Sequence, residues 1–213
     1  MVCFKRISPC IDIGGVLRFQ KGQIINLFDT KLLMEQASFM YLQWSYFPRF
    51  SSPPSWMIET IEAIDSQKSQ IESKLHDKLD SDEVLEHVRI PLENLGWEIE
   101  KGKTKAQKIE RPVLHGDNGI PRVKYEIDGW HNSHKAVMEV ESGRAWQGNA
   151  VYRDLIRASI MQEVDYLLLG VRQQYKYANV IQNDFEKTRE QVEAIYASGR
   201  LILPFKGLLV FGW

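Results

Sequence analysis

The sequence predicts an α/β protein: a mixed sheet with helices packed on it. Three observations predict this. The run VDYLLLGV (164–171) is apolar without interruption, the pattern of a strand covered on both faces. From Ser81 onward the periodicity switches repeatedly between helical and strand spacing, giving the order helix, strand, strand, strand, helix, strand. The 213 residues are 44% hydrophobic and 26% charged, enough apolar material for one large core and enough charge for a soluble surface.

Taken from the front, residues 1–28 carry weak signals, with strand-like patterns around Ile11–Phe19 broken by Gly14-Gly15. A helix is expected from Asp29 or Thr30 as cap through LLMEQASFMYLQWSYF (32–47), apolar nearly all round. SSPPS (51–55) breaks the chain. A long amphipathic helix is expected over about 56–79, with Met57, Ile61, Ile64, Ile71, Leu75 and Leu79 at helical spacing and Lys68 interrupting them. Residues 1–80 therefore read as a mainly helical extension, and 81–213 as the core domain.

Ser81-Asp82 opens the first core helix, with Leu85, Val88, Leu92 and Leu95 on one stripe and Pro91 expected to kink or shorten it. Strands are expected at WEIEKG, at 122–128 after a turn at HGDNGIP (115–121), and at 135–141. A helix from about 145 to 162, the buried strand, a polar helix over 180–198 and a closing strand GLLVFGW complete the chain.

Formal net charge is −1, so no global field draws a polyanion in, and any nucleic-acid contact must come from local basic patches. Two cysteines, Cys3 and Cys10, fit a reducing compartment and have no zinc spacing. MVCFKRISPC is not followed by an apolar stretch of signal-peptide length, and no stretch is long enough to span a bilayer. A cytoplasmic location without membrane contact is expected.

The chemistry concentrates at VKYEIDGW and KAVMEVESGR. Side chains alternate along a strand, so Glu139 and Glu141 share one face with Val140 on the other, and Asp128 shares its face with Glu126 and Lys124. Paired as a hairpin, the two strands gather Asp128, Glu139 and Glu141 at one edge. Carboxylates so close repel unless a cation lies among them, and hard oxygen donors suit Mg²⁺, with Mn²⁺ as a substitute. Metal-assisted hydrolysis of a phosphodiester is the reaction such a donor set serves. The alternative is a solvated strand face with no chemistry.

This element order and these acids resemble the PD-(D/E)XK nuclease superfamily. Asp128 stands in the place of the motif Asp, with Ile127 where Pro is usual, and Glu139 takes the second acidic place. Glu141 stands where most members have Lys, as in restriction endonucleases of the BglII and BamHI type. The stretch AVMEVESGRAWQGNAVYRDLIRASIMQEVDYLLLGV is most similar to the BglII type, with Tyr152, Asp154 and Leu155 matching its Y-x-D-L element. The resemblance spans about 81–213. It implies a restriction-endonuclease-like αβββαβ core and a type II, metal-dependent DNA endonuclease acting on double-stranded DNA. It implies Asp128 and Glu139 as metal ligands, Glu141 as water-activating group or second-metal ligand, and a further acid from the first core helix, Glu86 or else Glu93. A noncatalytic DNA-binding or regulatory module on the same fold is the alternative.

Lys101, Lys103, Lys105, Lys108 and Arg111 in KGKTKAQKIER form the richest basic segment, with Arg144, Arg153 and Arg157 near the acids in sequence; phosphate contact is expected of them. His131 and His134, between the acidic strands, offer a base or a merely polar loop. A palindrome-cutting enzyme would be a homodimer. Helix 56–79 or the helix at 31–47 is its expected interface.

Overall fold

The computed structural model describes residues 16–18, 24–26 and 42–213, apart from 144 and 147. Contacts divide the chain into two compact units, Met1–Tyr41 and Leu42–Trp213, rather than at 80/81. In the first unit, β1 (Val16–Arg18) and β2 (Ile24–Asn26) form an antiparallel pair. The expected helix caps at 29–30 and the helix portion at 31–41 lie outside the described residues.

The second unit is mixed α/β. Its strands are β3 (Gln43–Phe47), β4 (Trp97–Ile99), β5 (Ile109–His115), β6 (Pro121–Ile127), β7 (Gly129–His131), β8 (Ala136–Glu141), β9 (Tyr166–Val171), β10 (Tyr175–Tyr177), β11 (Val180–Gln182) and β12 (Gly207–Gly212). Its helices are α1 (Ser55–Asp65), α2 (Lys68–Ile71), α3 (Ser81–Glu93), α4 (Ala150–Ile160) and α5 (Asp184–Ser198). Six strands form one sheet in the order β3-β12-β9-β8-β7-β4. The central three, β8, β9 and β12, are parallel; β3, β7 and β4 run antiparallel to their neighbours. β5–β6 and β10–β11 stand apart as two-stranded ribbons.

Strand alternation feeds two cores. Met138, Val140, Leu168, Leu209 and Phe211 face α1 and α3, packing on Met57, Ile61, Ile64, Leu85, Val88 and Leu92. Val137, Leu167, Leu169, Leu208 and Val210 face the other way, onto Val151, Leu155 and Ala158 of α4 and Val192 of α5. Helices on both faces demand apolar strands between them, which is why YLLLGV and GLLVFG carry no charged side chain; β8, with Glu139 and Glu141, is the exception.

Several expectations change. Residues 43–47 are a strand, not the end of a helix: Gln43–Phe47 pairs with β12 and covers the edge that β12 would otherwise expose. The apolar all-round pattern marks burial, and burial does not distinguish helix from strand. The helix expected over 56–79 stops at Asp65 and resumes only for one turn at 68–71. Beyond it the backbone carbonyls are taken by other partners. Buried Arg172 donates to the carbonyls of Asp77 (2.7 Å), Leu79 and Ser142 (2.6 Å), and Ser73 Oγ donates to the carbonyl of Trp213. Leu75 is left exposed as a result. The apolar face of α1 is buried in the core, so it is not left over for a second subunit.

Arg172 thus fastens the 72–80 segment to the turn that follows the acidic strand β8. Arg172→Lys keeps the charge and loses the fork. It is expected to lower stability by roughly 2–3 kcal/mol, since hydrogen bonds to a charged group are worth about 1.5–3 kcal/mol each. Urea unfolding checks this; a variant within 0.5 kcal/mol of the parent, a span typical of neutral surface changes, would refute the clamp.

The first core helix begins at Asp80, whose carboxylate accepts from the Glu83 N–H (3.0 Å) while Glu83 accepts from the Asp80 N–H (2.8 Å). Pro91 lies in its last turn and does not break it; the helix ends two residues later. The helix expected at 145–162 spans Ala150–Ile160, and that expected at 180–198 starts at Asp184, with 180–182 forming β11.

Candidate functional site

The expected hairpin is divided at Asp128. β6 pairs with β5 and leaves the main sheet, while only β7 pairs with β8. Asp128 is the hinge between them. Its carbonyl accepts from the Glu100 N–H (2.8 Å), and its Oδ2 accepts from the Val140 N–H (2.7 Å). Gly129 permits the tight passage: a Cβ there would lie 3.1 Å from both the Ile99 Cδ1 and the Met138 Cβ. The Asp128 carboxylate is thereby drawn to β8 between Glu139 and Glu141.

Glu139 is buried among apolar strands and points to the α4 side, as alternation with Val140 requires. Burial pushes the Asp128 carboxyl up to about 7, and the charges of Glu100 and Asp154 add to the push against the Val140 hydrogen bond. Burial likewise raises Glu139 well above the carboxylate range, with Asp128, Asp154 and Glu141 raising it further and Arg157 opposing them. Glu141 is raised to about 7, first by burial and then by the hydrogen bond and charge of Asp154, against Arg153. Asp128, Glu139 and Glu141 therefore form one electrostatic cluster, as expected from sequence.

Asp154 belongs to the same cluster. It is fully buried on α4 and accepts from Arg153 Nε (2.9 Å), while the Arg153 guanidinium also pairs with Glu141. Asp154 entered the sequence reading only through the Y-x-D-L element. Its helical position, one turn in from Asn149, is what swings it over the end of β8.

Glu86 is not at this cluster. It is exposed on α3 and pairs with Arg89 at 3.1 Å, because Leu85, Val88 and Leu92 turn the opposite side of the helix to the core. Glu93 is also on the surface, 3.9 Å from Lys101. The acid from beyond these two strands whose charge reaches Asp128 is Glu100, with 2% of its side chain exposed and just past β4. It was missed because alternation from Trp97 and Ile99 places it outward with Glu98; the end of β4 breaks that alternation.

The basic residues divide likewise. Lys108 turns inward and donates to Glu100 Oε1 at 2.5 Å, so it is a partner of a buried acid and not an exposed phosphate contact. Burial pushes its ammonium down, but Glu100, Glu126 and Asp128 outweigh that and raise it. Lys101 pairs with Glu93, and Lys103 reaches Asp82 (3.1 Å) and Asp80 (3.5 Å) across the start of α3. Lys105 is exposed. Arg111 lies 4.0 Å over the Trp130 ring, and Arg157 lies 5.4 Å from the Tyr125 ring, with its charge felt at Glu139. Arg144 lies outside the described residues.

His131 and His134 are at the far end of the β7–β8 hairpin from the acids. His134 stacks on Trp56 at 4.4 Å, and His131 is buried with Nε2 2.9 Å from the Leu95 carbonyl. They build an aromatic cluster with Trp97 and are not placed as bases.

The donor set is suited to a hard divalent cation: buried carboxylate oxygens that raise one another's pKa are stabilised by added positive charge. Among the described residues no group of three or more His, Cys, Asp or Glu closes around a single point as a ready-made cage. Here Arg153 supplies positive charge to two of the acids. No helix among the described residues is long and apolar enough to cross a membrane. Compared with family models, curated proteins and solved structures, the chain matches none.

Proposed function

We propose that the protein is a metal-dependent deoxyribonuclease of the restriction-endonuclease-like type, cutting double-stranded DNA. The observation that carries this reading is the gathering of buried Glu139 with half-buried Asp128 and Glu141 at the end of β8, the Asp128 carboxylate bonded to the Val140 N–H between the two glutamates; burial and the neighbouring acids raise all three carboxyls. Carboxylates buried together are costly to keep ionised, Arg153 offsets only part of that charge, and phosphodiester hydrolysis uses such an acid set to hold a cation. The order α3, β4, the β5–β6 ribbon, β7–β8, α4, β9 supports it by its likeness to the αβββαβ arrangement.

In this reading Asp128 and Glu139 hold Mg²⁺, or Mn²⁺ in its place. Bound there, such an ion would neutralise charge at the scissile phosphate and lower the pKa of a water. Glu141, with a pKa near 7, accepts the proton of the attacking water. In this reading Arg157 and Arg153, on successive turns of α4, would meet the phosphate backbone and lower the cost of bringing two anionic surfaces together, Arg153 leaving Glu141 to do so. Glu141→Gln then slows the chemical step by about 10²-fold or more while leaving DNA affinity within about twofold. Single-turnover cleavage and a gel-shift assay separate the two.

A second reading, a noncatalytic DNA-binding module on this architecture, rests on Arg153: its pairs with Glu141 and Asp154 already neutralise part of the cluster. Plasmid DNA incubated with the protein and Mg²⁺ decides between them. Discrete fragments support the site-specific enzyme, and a two-fold dimer by light scattering supports palindrome cutting. Intact plasmid, with DNA still retarded on a gel, supports the module.

A further inference from the structure

A second concavity opens on the same row of the sheet as the acids. Register places Glu141 beside Val171, Val171 beside Gly212, and Gly212 beside Gln43. Gln43 is therefore three strand spacings from Glu141, roughly 14 Å at about 4.8 Å each. There, where β3 begins and β9 and β12 end, is a cavity of about 470 Å³, within the range of about 300–1,000 Å³ common for small-ligand sites.

Its lining has a definite chemistry. Trp44 supplies an accessible aromatic face; Gln43, Gln174 and Asn183 supply amides; Arg189 supplies a cation beside the carboxylate of Glu186. Among the described residues none of these three amides is engaged in a side-chain hydrogen bond, and Asn183, though it precedes α5, does not cap it. Arg189 keeps its Nε without a partner while its other end is 3.6 Å from Glu186. Gln174 and Asn183 bracket the β10–β11 ribbon, whose tip exposes Val180 and Ile181. Aromatic faces stack on bases, amides match the donor–acceptor pairs on base edges, and a guanidinium takes a phosphate. Amides and a guanidinium around one opening suit a polar ligand rather than an apolar one.

We propose that this cavity binds the base of one unstacked nucleotide of the nucleic-acid strand. The acids at the other end of the row then act on that same strand. The binding claim stands on the cavity alone; its role in selecting substrates with an unpaired or extruded base rests on the nuclease reading. Extruding a base costs least where it is already unpaired, so the cavity makes a bulged or mismatched nucleotide the preferred partner.

The test uses the full chain and short duplexes carrying 2-aminopurine either paired or in a one-nucleotide bulge, with adenosine monophosphate as competitor. The bulged probe is expected to bind at least about tenfold more tightly than the paired one, with Gln174→Ala and Asn183→Ala each removing about tenfold of that preference. Circular dichroism confirms that both variants are folded; each alters a side chain without structural hydrogen bonds. Equal affinity for the two probes, a preference unchanged in both variants, or competition by the mononucleotide without any bulge preference overturns the proposal. Asp128→Asn should leave bulge preference intact. Bulge preference without cleavage by the parent sinks the nuclease reading alone, and cleavage without bulge preference sinks the cavity proposal alone.

Discussion

Glu139→Gln is expected to abolish DNA cleavage, by on the order of 10²–10³-fold or more, and at the same time to make the metal-free protein more stable at pH 8. Two effects are separable here. The amide cannot hold the cation, so the reaction stops. The same change removes a buried carboxyl whose ionisation Asp128, Asp154 and Glu141 all oppose. A carboxyl group whose pKa is raised in the folded chain binds more protons folded than unfolded. Its contribution is favourable at low pH and is lost as pH climbs from the unfolded value toward the folded one. For Asp128 and Glu141 that window runs from about 4 to about 7, and for Glu139 it extends higher. In chelator the parent should therefore lose stability between pH 5 and pH 8, and Glu139→Gln should flatten that slope. A gain of about 2 kcal/mol at pH 8, or about 4–8 °C in Tm, is the expected size. Thermal unfolding at several pH values reads it. A slope identical to the parent's would mean that Glu139 is not charged against its neighbours; wild-type cleavage would remove it from the site.

Lys108→Met is expected to be among the most destabilising single changes in the chain. It leaves Glu100, with 2% of its side chain exposed, without the ammonium 2.5 Å away. Breaking one side of a buried ion pair costs about 3–5 kcal/mol; Glu100 lies just beneath the surface rather than in the deep core, so about 2–3 kcal/mol is expected at pH 7.5. Burial already raises the Glu100 carboxyl, and Lys108 is the group that restrains it. Without Lys108 that carboxyl rises further, so the deficit should shrink toward pH 5 as Glu100 takes up a proton. Glu100→Gln combined with Lys108→Met should recover most of the loss. Because Glu100 donates its N–H to the Asp128 carbonyl, the single variant should also slow cleavage, and the double variant should restore it in part. A Lys108→Met protein as stable as the parent would show that the pair contributes nothing. Lys103, by contrast, is 74% exposed beside Asp80 and Asp82, and its replacement should pass nearly unnoticed.

The residues that sequence made legible were those whose environment follows from local periodicity. Glu139 and Glu141 share a face because strand geometry leaves no alternative, and β9 was readable because two helical layers demand an uninterrupted apolar run. The residues it missed depend on non-local geometry. Glu100 turns inward only because β4 ends one residue earlier and Asp128 holds its N–H. Lys108 follows it inward, although its neighbours in the same basic segment remain at the surface. The strand at 43–47 was hidden for a related reason: it pairs with β12, about 160 residues away, and an apolar run carries no label for so distant a partner.

That long-range pairing also sets a timetable for the nascent chain. β3 meets its one sheet neighbour only after roughly 160 further residues have been made, which at about 5–20 residues per second takes on the order of 10–30 s. Through that interval Tyr46 and Phe47, both buried in the finished sheet, have no strand beside them. The segment that guards the sheet's edge is thus itself unguarded while the ribosome works, and ribosome-bound chaperones have their clearest target in residues 42–50.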